Sequence, residues 1–102
     1  MWSPINTLNI PSNSFGFDKL KVSFGSESTV SVEAGSTSTI SEGLYIARCG
    51  ANTSVEYSPD NGTTWHTLIS TGGTGIVISD GSNVRFNNTG TSAEDSYLLP
   101  IQ

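Results

Sequence analysis

The chain has 102 residues with nine acids against four bases, a formal charge of -5, and a composition 34% hydrophobic and only 13% charged. That length accommodates one domain. The acidic balance excludes electrostatic binding to nucleic acid, because Lys19, Lys21, Arg48 and Arg85 are too few to neutralise a phosphate backbone. No apolar run of about 18 residues is present, so no helix is expected to span a membrane, and the single Cys49 cannot close an internal disulfide.

Small neutral polar residues fill the composition: 17 Ser, 12 Thr and 8 Asn stand beside 11 Gly. All are weaker helix formers than Ala, Leu, Glu or Lys, which argues against a helical fold. Nine aromatics and regularly spaced Val, Ile and Leu argue equally against disorder.

Residues 1–17 form a leader with Pro4, Pro11 and an Ser-Asn-Ser tract, yet they carry Trp2, Ile5, Leu8, Ile10, Phe15 and Phe17. Two prolines oppose a helix or a central strand. The segment therefore reads as an extended arm, packed on its own domain or docked on a neighbouring subunit. It lacks the basic and apolar regions of a signal peptide, which predicts synthesis in the cytoplasm.

From residue 18 to 102 the period is two. Leu20, Val22 and Phe24 are expected inward on a first strand, then Val30, Val32 and Ala34 on a second. Thr37 to Ser41 is a short polar strand around Ile40. Gly43 to Cys49 is nearly continuous in apolar residues and reads as a central strand covered on both faces, with Cys49 small and buried. Ser54–Ser58 and Thr64–Ile69 form a hairpin. After the loose Gly72-Gly73-Thr74-Gly75 stretch comes a short strand, 76–78, and a turn at Asp80-Gly81. Val84 and Phe86 face inward on the next strand, residues 87–92 make a polar loop, and Tyr97, Leu99 and Ile101 alternate on the last. Pro100 places that strand at a sheet edge or at its own end. Seven to nine short strands with frequent turns predict an antiparallel β-sandwich, Ig-like or jelly-roll-like.

Ser58-Pro59-Asp60-Asn61-Gly62-Thr63-Thr64-Trp65 is similar to the Asp-box, Ser-x-Asp-x-Gly-x-Thr-Trp, with Ser58, Asp60, Gly62, Thr64 and Trp65 at its defining positions. The chemistry is that of a braced hairpin. Asp60 accepts backbone N–H bonds from residues that follow it, Gly62 supplies positive φ, and Trp65 folds back as an apolar cover. Asp-boxes recur in sialidase propellers, but two arginines cannot make the arginine triad of those enzymes, and the chain is too short for a propeller.

No catalytic constellation is expected. His66 is the only histidine and reads as a surface strand residue. One His and one Cys cannot build a zinc site. Asp60 has no second carboxylate at ligand spacing, and Glu94-Asp95 point to opposite faces of a strand. The glycines at 72, 73 and 75 lack a following Lys-Ser/Thr and a helix. Neither a cofactor nor a metal is implied.

The chain resembles small all-β structural proteins of tailed-bacteriophage virions. The resemblance is carried by the 55–65 hairpin, by the 78–88 segment with its glycine turn followed by Val84-Arg85-Phe86, and by the leader. It implies a capsid decoration (cement) protein located on the virion and bound to the major capsid protein or another virion subunit. Trp2, Ile5, Leu8, Ile10 and Phe15 would serve in the attachment arm, and a homo-oligomer is compatible with it. A tail- or fibre-associated module is the nearest sibling. The competing readings are an adhesion module and a carbohydrate-binding module that stacks sugars on Trp65, Tyr57 and Trp2, which requires two exposed rings on one face.

Overall fold

The computed structural model describes residues 23–101. The leader, with Trp2, Ile5, Leu8, Ile10 and Phe15, and the expected strand positions Leu20 and Val22 lie outside the described residues. Eight strands and no helix are present among the described residues: β1 (Ser28–Val32), β2 (Thr37–Thr39), β3 (Gly43–Arg48), β4 (Thr53–Tyr57), β5 (His66–Ile69), β6 (Thr74–Ser79), β7 (Val84–Asn88) and β8 (Glu94–Pro100).

They form two four-stranded antiparallel sheets, ordered β1-β8-β3-β6 and β2-β7-β4-β5. This interleaving is that of an eight-stranded jelly roll, so of the two sandwich types expected the chain adopts the second. Between the sheets lies a core of Val32, Ile40, Ala47, Val55, Ile69, Val77, Val84, Phe86 and Leu98, with Val30, Tyr45 and Cys49 packed against it. Phe86 is the largest fully buried side chain. Its neighbours along β7, Arg85 and Asn87, point outward, as a half-buried strand requires.

Several expectations need correction. Phe24 is not inward: it is 52% exposed and makes an isolated antiparallel bridge to Ile101. Ala34 lies exposed in the β1–β2 turn, because the strand stops at Val32. β3 is not covered on both faces by the described residues: Ala47 is buried, whereas Leu44 is exposed and Ile46 half-buried on the other side. Cys49 is half-buried. Thr74 and Gly75 are no loop but the start of β6, paired with Arg48 and Ala47.

The last strand is shifted by one residue. Ser96 and Leu98 point inward, and Tyr97, Leu99 and Ile101 do not. β8 lies inside its sheet, between β1 and β3, so Pro100 marks its end and not an edge. The polar loop begins later than expected because Asn88 is a fully buried residue of β7.

Candidate functional site

The Asp-box hairpin joins β4 to β5. Ser58 is buried, and its Oγ accepts the amides of Gly62 (2.6 Å) and Asp60 (3.4 Å) while its hydroxyl donates to Asp60 Oδ1 (2.9 Å). The Asp60 carboxylate accepts the Thr64 amide on Oδ1 (2.8 Å) and the Thr64 hydroxyl on Oδ2 (2.7 Å). These Thr64 bonds, with help from Ser58, hold Asp60 down at about 2. Asn61 (φ 60°) and Gly62 (φ 92°) are consecutive left-handed residues and reverse the chain. Trp65 Nε1 donates to the Gly62 carbonyl at 3.2 Å. Ser58, Asp60, Gly62, Thr64 and Trp65 thus meet in one turn, and their polar groups are spent on one another.

Trp65 does more than cover the turn. Its ring lies under the Arg85 guanidinium, 3.7 Å from ring centroid to Cζ, and Arg85 also pairs with Glu56 at 3.0 Å. Asn87 donates to the other Glu56 oxygen at 3.0 Å. This network lies on the outer face of the β2-β7-β4-β5 sheet, which Thr37, Thr39 and Thr67 complete as a polar surface.

Tyr57 is on the opposite side of that sheet, paired with the buried Val84 and set 5.5 Å from the His66 ring. His66 is exposed, as expected. Tyr57 and Trp65 therefore do not share a face. Tyr97 is likewise occupied, with the Arg48 guanidinium 4.2 Å over its ring and Glu27 pairing with Arg48 at 3.0 Å.

The outer face of the β1-β8-β3-β6 sheet is different. Antiparallel register sets Phe24, Ile101, Leu44 and Ile78 in one row across the strands, and Leu99, Ile46 and Ile76 in the next. Ile76 and Ile78 are 64% and 75% exposed. Beside β6 the two sheets part into an open groove of about 610 Å³, lined by Tyr57, Leu68, Ile76, Ile78, Asp80 and Val84. The six large hydrophobic side chains left exposed among the described residues, Phe24, Leu44, Tyr57, Leu68, Ile76 and Ile78, all belong to this one surface of rows and groove.

Sequence reasoning missed this surface and the polar pins around it. Asp80 Oδ1 accepts the amides of Ser82 and Asn83, which keeps its carboxyl below the usual range, and Asn83 bridges to Asn61 at 3.3 Å. Glu94 accepts the Asn52 amide and the Asn52 and Thr53 side chains, which lowers it as well. The buried Asn88 amide donates to the carbonyls of Val32 and Ser92, each at 2.9 Å, and its oxygen accepts Gly90 N–H at 2.8 Å. Only the alternation of Ile76 and Ile78, read against Leu44 and Ile46, signals the apolar face in advance.

Among the described residues no group of three or more His, Cys, Asp or Glu is placed to hold a metal ion. Comparison of the chain with known protein families, with characterised proteins and with solved structures gives no match.

Proposed function

We propose that the chain is a non-enzymatic structural protein that works by joining protein subunits, of the capsid-decoration kind its sequence resembles. Its partner is then the major capsid protein or another virion subunit. One observation carries this reading: among the described residues all six exposed large hydrophobics fall on a single surface, while the opposite outer face is polar. Contiguous exposed apolar surface on a small domain marks a contact site. The jelly roll itself hosts both capsid and lectin domains and does not choose between them. Against the carbohydrate-binding reading, Trp65 is stacked on Arg85 and lies across the sheet from Tyr57, so these two rings make no common platform.

The test is co-sedimentation of the full chain with purified tailed-phage capsids, beside a glycan array. Binding to capsids that Ile76→Asp/Ile78→Asp abolishes supports the proposal. Glycan binding without capsid binding overturns it in favour of a carbohydrate-binding module.

A further inference from the structure

Four strands lie at sheet edges among the described residues: β1, β6, β2 and β5. Three are guarded in the ways that natural sheets guard their edges. β2 has only three residues, β5 carries a register shift opposite Val55/Glu56, and β1 is flanked by Glu27 and Glu33. β6 is the least guarded, with a single flanking charge, Asp80, at its end. It is six residues long, Thr-Gly-Ile-Val-Ile-Ser, without charge, proline or bulge, and it borders both the apolar rows and the groove. Such an edge is a template for an added strand.

We propose that β6 and its groove receive residues 1–22 of a second copy of this chain, laid down as an extended strand. The inference rests on the subunit-joining function proposed above and names the partner.

Size favours a strand over a globule. Four strands about 4.8 Å apart and two rows about 7 Å deep give the rows, apart from the groove, a footprint of roughly 300 Å², against about 800 Å² per partner in a standard interface between folded proteins. The segment outside the described residues has the matching chemistry: Trp2, Ile5, Leu8, Ile10, Phe15, Phe17, Leu20 and Val22 within 22 residues. Charge matches too. Residues 1–22 hold two of the four bases and one of the nine acids, a formal +1, which leaves -6 for the remainder, including Asp80 in the groove wall.

The donor is a second copy because of where the chain enters. Phe24 pairs antiparallel with Ile101 on the β1 side of β8, so the described chain begins at the far side of its own sheet from the acceptor edge β6. A donor and an acceptor on every copy make a head-to-tail contact.

The test uses light scattering on full chains. Wild type should self-associate with concentration above its 10.7 kDa monomer mass. An acceptor variant, Ile76→Asp/Ile78→Asp, and a donor variant, Ile5→Asp/Leu8→Asp, should each be monomeric with far-ultraviolet spectra like wild type. Their equimolar mixture should form a 1:1 dimer, since one supplies the donor and the other the acceptor. If the acceptor variant misfolds, Ile76→Thr/Ile78→Thr keeps the strand preference and replaces it. A wild type monomeric at about 100 μM overturns the proposal. So does a mixture that stays monomeric, which would assign the leader to its own chain. Self-association that survives both variants also overturns it. The capsid assay reads the function separately: capsid binding by a monomeric wild type would sink this inference and leave the subunit-joining function standing.

Discussion

The amide and the hydroxyl of Thr64 bond to separate oxygens of the Asp60 carboxylate, at 2.8 Å and 2.7 Å, closing a ring at the tip of the β4–β5 hairpin. The same carboxylate takes the Ser58 hydroxyl, whose oxygen in turn holds the Gly62 amide. This turn is a self-satisfied brace, and its chemistry is inward-looking.

Asp60→Ala should therefore lower the thermal midpoint by several degrees, and Asp60→Asn by less, because an amide oxygen still accepts from Thr64. The folded Asp60 carboxyl titrates at about 2, below the ordinary aspartate value near 3.9. A depressed carboxylate contributes stability that is whole above the unfolded value and is lost as pH falls through the folded one. The midpoint difference between wild type and Asp60→Asn should be flat above about pH 5 and shrink between about pH 4 and 2. A difference that persists unchanged at pH 2 would remove the ionised carboxylate from the brace.

Gly62 sits at φ 92°, where a side chain is strained whatever space surrounds it. Gly62→Val should cost about 1–3 kcal/mol, the usual penalty of a non-glycine residue held in that region. Urea unfolding gives the number directly, and an unchanged midpoint would mean that the turn has no need of glycine.

Asn88 is fully buried and joins three backbone groups on two segments: Val32 at the end of β1, and Gly90 and Ser92 in the β7–β8 loop. Asn88→Ala leaves two carbonyls and one amide without their partner. Of the three, only the Val32 bond is fully buried, and a buried unsatisfied group costs about 1–3 kcal/mol, so a loss of about that size is expected by urea unfolding. Asn88→Asp should fare no better, since it removes both donors and buries a charge.

The positions misread on β3 and β8 share a cause. Strand existence and turn chemistry were legible, because Val84/Phe86 alternation and the Ser58–Trp65 turn carry local signals that packing only reinforces. Which face of a strand is buried was not. Alternation identifies a buried face only when the other face is polar, and on β3, β6 and β8 both faces are apolar. Leu44 and Ile46 thus made β3 look doubly covered. On β8, the larger Tyr97 and Leu99 outweighed Ser96, which faces inward because its Oγ accepts the Gly50 amide at 3.0 Å where the β3–β4 connection crosses. Asn88 reads as a loop residue for a different reason: its partners are 56 positions upstream and four positions downstream, and no local window contains both.

Cys49 packs against the core, and burial pushes its thiol up to about 11. At pH 8 about 0.1% of such a thiol is ionised, against about a quarter of an ordinary one titrating near 8.5. A disulfide reagent should therefore react with the native chain roughly 200-fold more slowly than with the urea-unfolded chain at that pH. Equal rates in the two states would show that Cys49 is solvated.

The polar outer face offers a sharper test, because one side chain links three others. Arg85 lies on the Trp65 ring, pairs with Glu56 across β7 and β4, and shares that carboxylate with Asn87. Arg85 and Glu56 are mostly shielded, with side chains 25% and 16% exposed, so the pair should couple more strongly than a surface ion pair. Surface pairs couple by about 0.2–1 kcal/mol, and a hydrogen bond to a charged group contributes about 1.5–3 kcal/mol. A double-mutant cycle of Arg85→Met and Glu56→Gln should return about 1–2 kcal/mol, between those limits. Moderate salt should leave most of it in place, since a shielded pair is screened less than an exposed one. Arg85→Met also strips the cation from one face of Trp65, so its indole emission should shift while the unfolding transition stays cooperative. Trp65→Leu then supplies the decisive comparison: if the ring holds the guanidinium in register with Glu56, the Arg85–Glu56 coupling measured in that background should fall by about half or more. A coupling that is the same with and without the indole would make Trp65 a bystander to the pair and leave only its bond to the Gly62 carbonyl as its part in the hairpin.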